Sequence, residues 1–243
     1  MRLTVLGCGD AFGSGGRFNT SFHLALADGH RVALDFGATS MVALNREGLE
    51  PDGLDAVIIS HLHGDHAAGV PFLLLYLHYV VGRTRPLTVA GPPGTEDWLR
   101  RAVAVLFGKT DEPWSFPLMV EPVSPGADAS VAGLDVAAYP VVHGDMTSHA
   151  LRLSDGARVL AFSGDTTWTD VLVEVARDAD LFIMECYAPE GPCATHTDWE
   201  TLRAHLPEIT AKRIVLTHMN SAMLARRGEV SVDTLSDGMV IEV

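Results

Sequence analysis

Residues 60–66 read Ser60-His61-Leu62-His63-Gly64-Asp65-His66. Immediately before them, Asp55-Ala56-Val57-Ile58-Ile59 is a short β-branched apolar run that predicts a buried strand. Immediately after come Ala67-Ala68-Gly69-Val70-Pro71 and a Leu-rich segment of helical length. The cluster therefore sits where a strand ends and a helix begins, which is where an α/β sheet presents its chemistry. Side chains at i and i+2 of an extended segment point the same way, so His61 and His63 reach one point. Asp65 and His66 fall where the chain turns into the helix and reach a second point close by. Three imidazoles and a carboxylate within six residues suit a borderline divalent metal such as zinc.

The chain has 243 residues, 47% of them hydrophobic, which is enough for a sizeable core, and a formal net charge of −14. That charge argues against a surface that grips nucleic acid but permits a small phosphorylated substrate, because bound metals bring their own positive charge. Three cysteines, Cys8, Cys186 and Cys193, give no disulfide framework. With no signal-peptide pattern at the N-terminus, they predict a reducing, cytoplasmic setting. The most apolar stretch, Val70 to Val81, is interrupted by Pro71 and His78 and is too short to span a bilayer. Within it, Phe72 to Val81 is more apolar than one buried helix face requires, which fits a helix buried on both sides, the preferred reading, or a homodimer interface.

The rest of the chain repeats one event: an apolar strand ends and delivers a His or an Asp. It happens at His61, at His143 after Leu134 to Val142, at Asp165 after Arg158 to Phe162, and at His218 after Arg213 to Leu216. Phe22 to Leu26 and Arg31 to Leu34 predict paired strands around the Asp28-Gly29 turn. Leu87 to Ala90 and Leu181 to Glu185 predict further strands, and helices are expected near Trp98 to Phe107, Thr169 to Arg177 and Trp199 to Leu206. Thr110 to Pro125, punctuated by prolines, reads as an irregular loop that could lie over the site. The glycine-rich loop Gly7 to Gly16 is open between a ligand contact and a plain surface loop. Asp35 is open between holding a ligand imidazole and capping a helix. No composition shift divides residues 1–243, so one domain is expected.

His61-Leu62-His63-Gly64-Asp65-His66 resembles the H-x-H-x-D-H signature of the metallo-β-lactamase superfamily. The resemblance implies an α/β fold, a four-layer αββα sandwich. It also implies two metal sites: His61, His63 and His143 hold the first ion, Asp65, His66 and His218 the second, and Asp165 bridges both. A hydroxide shared by the metals would be the nucleophile, with Asp65 orienting it and taking its proton. Zinc is the expected metal, with manganese and iron as alternatives. Diiron redox members carry Glu where this chain has His63, which favours a hydrolase.

Within the superfamily the chain is most similar to the ribonuclease Z-like branch of tRNA 3′-processing enzymes and related phosphodiesterases. The residues that carry this are Arg17 to Ser21, Leu34 to Gly37, Leu87 to Gly94, Phe162 to Thr166, Glu185, Thr195-His196-Thr197, Leu216 to His218 and Asp237-Gly238-Met239. The resemblance implies that His196, paired with Glu185, protonates the leaving oxygen. It departs in two respects. The tRNA enzymes insert a long clamping arm between the residues matching His143 and Asp165, and here only Gly144 to Gly164 lie between them, room for no more than a hairpin. His149 stands where the branch often has a small residue and is open between substrate contact and packing beside His143. The expected activity is therefore a metal-dependent phosphodiesterase acting on a small or medium substrate. Lactone, thioester or other carboxylic-ester hydrolysis at the same site is the alternative. A tRNA 3′-endoribonuclease is disfavoured by the missing arm and the acidic charge, and a non-catalytic metal-stabilised scaffold by the complete ligand set.

Overall fold

A computed structural model describes residues 1–108 and 113–243. The first half of the chain builds one mixed sheet. Its strands are β1 (Arg2–Gly7), β2 (Ser21–Ala25), β3 (Arg31–Phe36), β4 (Ala56–Ile58), β5 (Leu87–Gly91) and β6 (Leu118–Pro122), joined by the late strand β14 (Val240–Glu242). The spatial order is β14-β1-β2-β3-β4-β5-β6, antiparallel from β14 to β3 and parallel from β3 to β6. The second half builds the other sheet from β7 (Ala129–Val131), β8 (Leu134–His143), β9 (Met146–Ser154), β10 (Val159–Phe162), β11 (Leu181–Glu185), β12 (Ile214–Thr217) and β13 (Asp233–Thr234). Its order is β13-β12-β11-β10-β9-β8-β7.

Strand periodicity explains the layering. Leu3 and Val5 of β1, Phe22 and Leu24 of β2, and Val32 and Leu34 of β3 face the second sheet and meet Leu151, Leu160, Phe162 and Ile183 in the central core. Phe22 and Phe162 join the sheets edge to face, with ring centroids 5.7 Å apart. The outer face of the first sheet is covered by α1 (Ser40–Arg46), α3 (Val70–Leu75) and α4 (Thr95–Phe107), and a four-residue helix α2 (Gly64–Ala67) leads into α3. The outer face of the second sheet is covered by α5 (Val171–Ala176), α6 (Trp199–His205) and α7 (Ser221–Ala225). This is the four-layer αββα sandwich expected from the resemblance. No helix among the described residues is long and apolar enough to cross a membrane.

Two expectations need correction. The apolar segment after the motif is not buried on both sides. It is an α-helix that continues into π-helical turns, Tyr76–Val81, and it buries Val70, Leu73, Leu74 and Leu77 while Tyr79 and Val80 stay 61% and 70% exposed. As part of an outermost layer, it has no further layer to cover its far side. The described part of the segment from Thr110 to Pro125 is not a loop over the site. Residues 110–112 lie outside the described residues, and Leu118–Pro122 forms β6, an edge strand, where Pro122 is tolerated.

Candidate metal centre

Strands from both sheets end at one rim. β4 runs out into His61 and His63, and α2 carries Asp65 and His66. β8 ends on His143, β10 is followed by Asp165, β11 ends on Glu185 and β12 is followed by His218. Two of the turns at this rim use backbone geometry that most residues avoid. His218 has φ 60° and Asp35 has φ 53°, the left-handed region where a non-glycine residue is strained. Gly164, before Asp165, has φ 57°, and a Cβ there would lie 2.6 Å from the His149 carbonyl oxygen, so only glycine fits.

The ligand atoms converge in two groups. His61, His63 and His143 offer nitrogens within 4.8 Å of one another, and so do the donor atoms of Asp65, His66, Asp165 and His218. In the first group His63 Nδ1 lies 3.1 Å from His61 Nε2 and 3.0 Å from His143 Nε2. In the second, Asp65 Oδ2 and Asp165 Oδ2 each lie 3.2–3.4 Å from His66 Nε2 and His218 Nε2. Those spacings are close to the edge of a tetrahedron around an ion bound at ~2.0–2.1 Å, roughly 3.3 Å. Asp165 Oδ2 is also 3.9 Å from His61 Nε2 and 3.8 Å from His143 Nε2, which puts it between the groups.

The surroundings turn lone pairs, not protons, toward the centre. Ser60 Oγ donates to Asp35 Oδ2 at 2.8 Å and so accepts from His61 Nδ1 at 3.1 Å. His66 Nδ1 donates to Asp35 Oδ2 at 2.7 Å, and His143 Nδ1 to the Thr195 carbonyl at 2.7 Å. Asp35, buried and also accepting from Ser60 N at 2.7 Å, thus fixes ligand tautomers and is not a helix cap. His66 Nε2 is buried with no hydrogen-bond partner, as a ligand atom aimed at an ion would be. Burial pushes His61, His63 and His143 below the ordinary imidazole range and keeps them neutral. Burial opposes charge on His66 too, but the Asp165 and Asp35 carboxylates outweigh it and raise it. Burial likewise works against ionised Asp165, and His218 and His66 overcome that and hold it well below the usual carboxylate range. Against burial, His218 is raised too, by Asp165 and Asp65; a dication bound among these carboxylates would replace the protons they hold on His66 and His218.

His196 stands at the edge of this cluster. Its Nδ1 is 3.1 Å from Glu185 Oε2, and its ring stacks on Tyr187 with centroids 4.6 Å apart. Glu185 is wholly buried and also accepts from Thr166 N. Burial and then Asp165 push Glu185 well up, while burial pushes His196 down. A cavity of about 640 Å³ opens over the cluster. Its lining includes residues the sequence reading did not single out: Phe12, Asp145, Met146 and Tyr187. Tyr187 was visible as two residues past Glu185, the spacing that keeps side chains on one side of an extended chain, whereas Asp145 reaches the cavity from the turn that follows His143. Phe12 carried no comparable signal. The glycine-rich loop does reach the cavity, through Ala11 and Phe12. His149 does not line it: it is 3% exposed and sits in β9 opposite Pro140.

Fold and cluster together define a protein of the metallo-β-lactamase fold. The metallo-β-lactamase fold protein YhfI of Bacillus subtilis matches with a TM-score of 0.80 at 22% identity, over 100% of this chain and 99% of that one. More narrowly, the chain belongs to the family described as Anti-Pycsar protein Apyc1, which matches residues 1–236. An uncharacterised Mycobacterium leprae protein, ML1173, is 30% identical over 225 residues, 90% of this chain and 78% of that protein. Ribonuclease Z of Bacillus subtilis is 26% identical over 277 residues, 91% of this chain and 89% of the relative.

Proposed function

We propose that the chain is a metal-dependent hydrolase that cleaves a small phosphodiester in the cytoplasm. The observation that carries the reading is the His196–Glu185 pair, hydrogen-bonded at 3.1 Å beside the His/Asp cluster, with His196 lining the same cavity. His61, His63 and His143 would hold one ion, Asp65, His66 and His218 a second, and Asp165 would lie between; zinc suits the donors best, then manganese or iron. Such ions supply the charge that polarises a phosphoryl oxygen and acidifies water. Asp65 is placed to orient the attacking water and take its proton. Glu185 holds His196 Nδ1, which leaves Nε2 to protonate the departing alkoxide.

The similarity to ribonuclease Z supports phosphodiester chemistry at this site. A tRNA substrate fits less well: β8 and β9 pair as far as His143 with Met146, so only a tight turn stands where a clamping arm would be inserted. Carboxylic esters, lactones and thioesters are the second reading, favoured by the apolar walls Phe12, Met146 and Tyr187. The test is hydrolysis of bis(p-nitrophenyl) phosphate by zinc- and manganese-loaded protein. Asp165→Ala is expected to abolish turnover, and His196→Ala to lower it by about 10²–10⁴-fold, the usual contribution of general acid catalysis. Lactone cleavage that survives His196→Ala, with no phosphodiester turnover by the wild type, would sink the phosphodiesterase reading.

A further inference from the structure

Phe12 is 84% exposed, yet the loop that presents it is firmly built. Asp10, 1% exposed, accepts from Phe12 N at 3.2 Å, from Ser14 N at 2.9 Å and from Ser14 Oγ at 2.7 Å. Asn19 Nδ2 donates to the Asp10 carbonyl at 3.1 Å. The loop is also tied to the metal centre, because Gly9 bridges to Met219 and the Cys8 carbonyl accepts from His218 N at 3.1 Å. A phenyl ring held this way on the rim of a cavity, with no core to pack into, offers a flat apolar face to whatever enters. Charge gives the second observation. Among the described residues the cavity lining contains no Lys or Arg, and its one carboxylate outside the His/Asp cluster is Asp145, at the turn between β8 and β9. A phosphate at the cluster would be matched by the ions, but a second negative charge on the same molecule would find no cation and would meet Asp145.

We propose that Phe12 and Asp145 set the specificity of this cleft, for a phosphodiester with one negative charge in all and a flat, uncharged group on its non-leaving side. The proposal rests on the phosphodiesterase reading. Three substrates with one common leaving group separate the terms: methyl, phenyl and 4-carboxyphenyl p-nitrophenyl phosphate. Stacking of a flat ring on an aromatic side chain changes affinity by about tenfold or more. In Phe12→Ala, kcat/KM for the phenyl ester relative to the methyl ester is therefore expected to fall about tenfold from the wild-type ratio. In Asp145→Asn, kcat/KM for the carboxyphenyl ester relative to the phenyl ester should rise about fivefold, and further in Asp145→Lys, as relief of a like-charge contact predicts. A phenyl-to-methyl ratio unchanged by Phe12→Ala, or a carboxyphenyl-to-phenyl ratio unchanged by both Asp145 variants, overturns the proposal. The phosphodiesterase reading fails separately, by absence of turnover of all three esters in metal-loaded wild type, and takes this proposal with it.

Discussion

His23, in β2, is a histidine that the metal centre does not use. It is 6% exposed, and burial, with help from Arg31 on β3 and Arg2 on β1, lowers its pKa to about 4. Glu47, just past α1, lines the same small outer cavity. The ordinary value is 6.5, so the folded chain prefers the neutral ring. Its contribution to stability is then complete above pH 6.5 and is lost as pH falls toward 4, because the unfolded chain binds the extra proton across that window. Between pH 7.5 and 4.5 the loss amounts to roughly 2–3 kcal/mol. Urea unfolding of wild type and His23→Gln at both pH values checks this. The variant should lose less stability on acidification by about that amount, and parallel losses would show that His23 is not responsible. His23 gave no sign of this in the sequence, since burial of a polar ring on the outer face of a sheet follows from which helix lies over it.

Elements were legible where periodicity was strong. The strand before His61, the hairpin at Asp28-Gly29 and the helix ending at Phe107 all stand where the apolar pattern placed them. The segment after Val70 was legible as a helix but not as a half-covered one, because an all-apolar run conceals which face meets the sheet. Its uncovered face continues onto α4: Phe72 packs edge-on to Phe107 with centroids 5.1 Å apart, and Val105 is 84% exposed. A contiguous apolar surface of this kind marks an interaction site. We propose that a second copy of the chain covers it. Light scattering at micromolar concentration should give twice the monomer mass for wild type, and the monomer mass for Val80→Glu combined with Val105→Glu. A monomeric wild type would dispose of the idea.

Across the whole molecule, the site was more legible than the cleft around it. Four of the clustered residues, His61, His143, Asp165 and His218, could be read off because each follows an apolar run, and His63, Asp65 and His66 follow the first of them within five residues. Phe12 and Met146 could not, since their place depends on how two sheets meet. The cluster draws His61, His63, Asp65 and His66 from the first sheet's half of the chain, and His143, Asp165 and His218 from the second's. Bound ions would therefore tie the halves together, and their removal should weaken the whole sandwich. A chelator is expected to lower the calorimetric midpoint by roughly 5–10 °C, given ~3 kcal/mol of linkage at a hundredfold excess over Kd. An unchanged midpoint would count against metal binding by this cluster.

The sheet borders carry one more consequence. β13, β14 and β7 are only two or three residues long, and β6 ends in Glu121 and Pro122. An edge that short, or interrupted by a charge and a proline, is a poor template for another strand. Stacking of these molecules into fibrils through their sheets is thereby discouraged, so the second copy proposed above would meet the helical face and not a sheet edge.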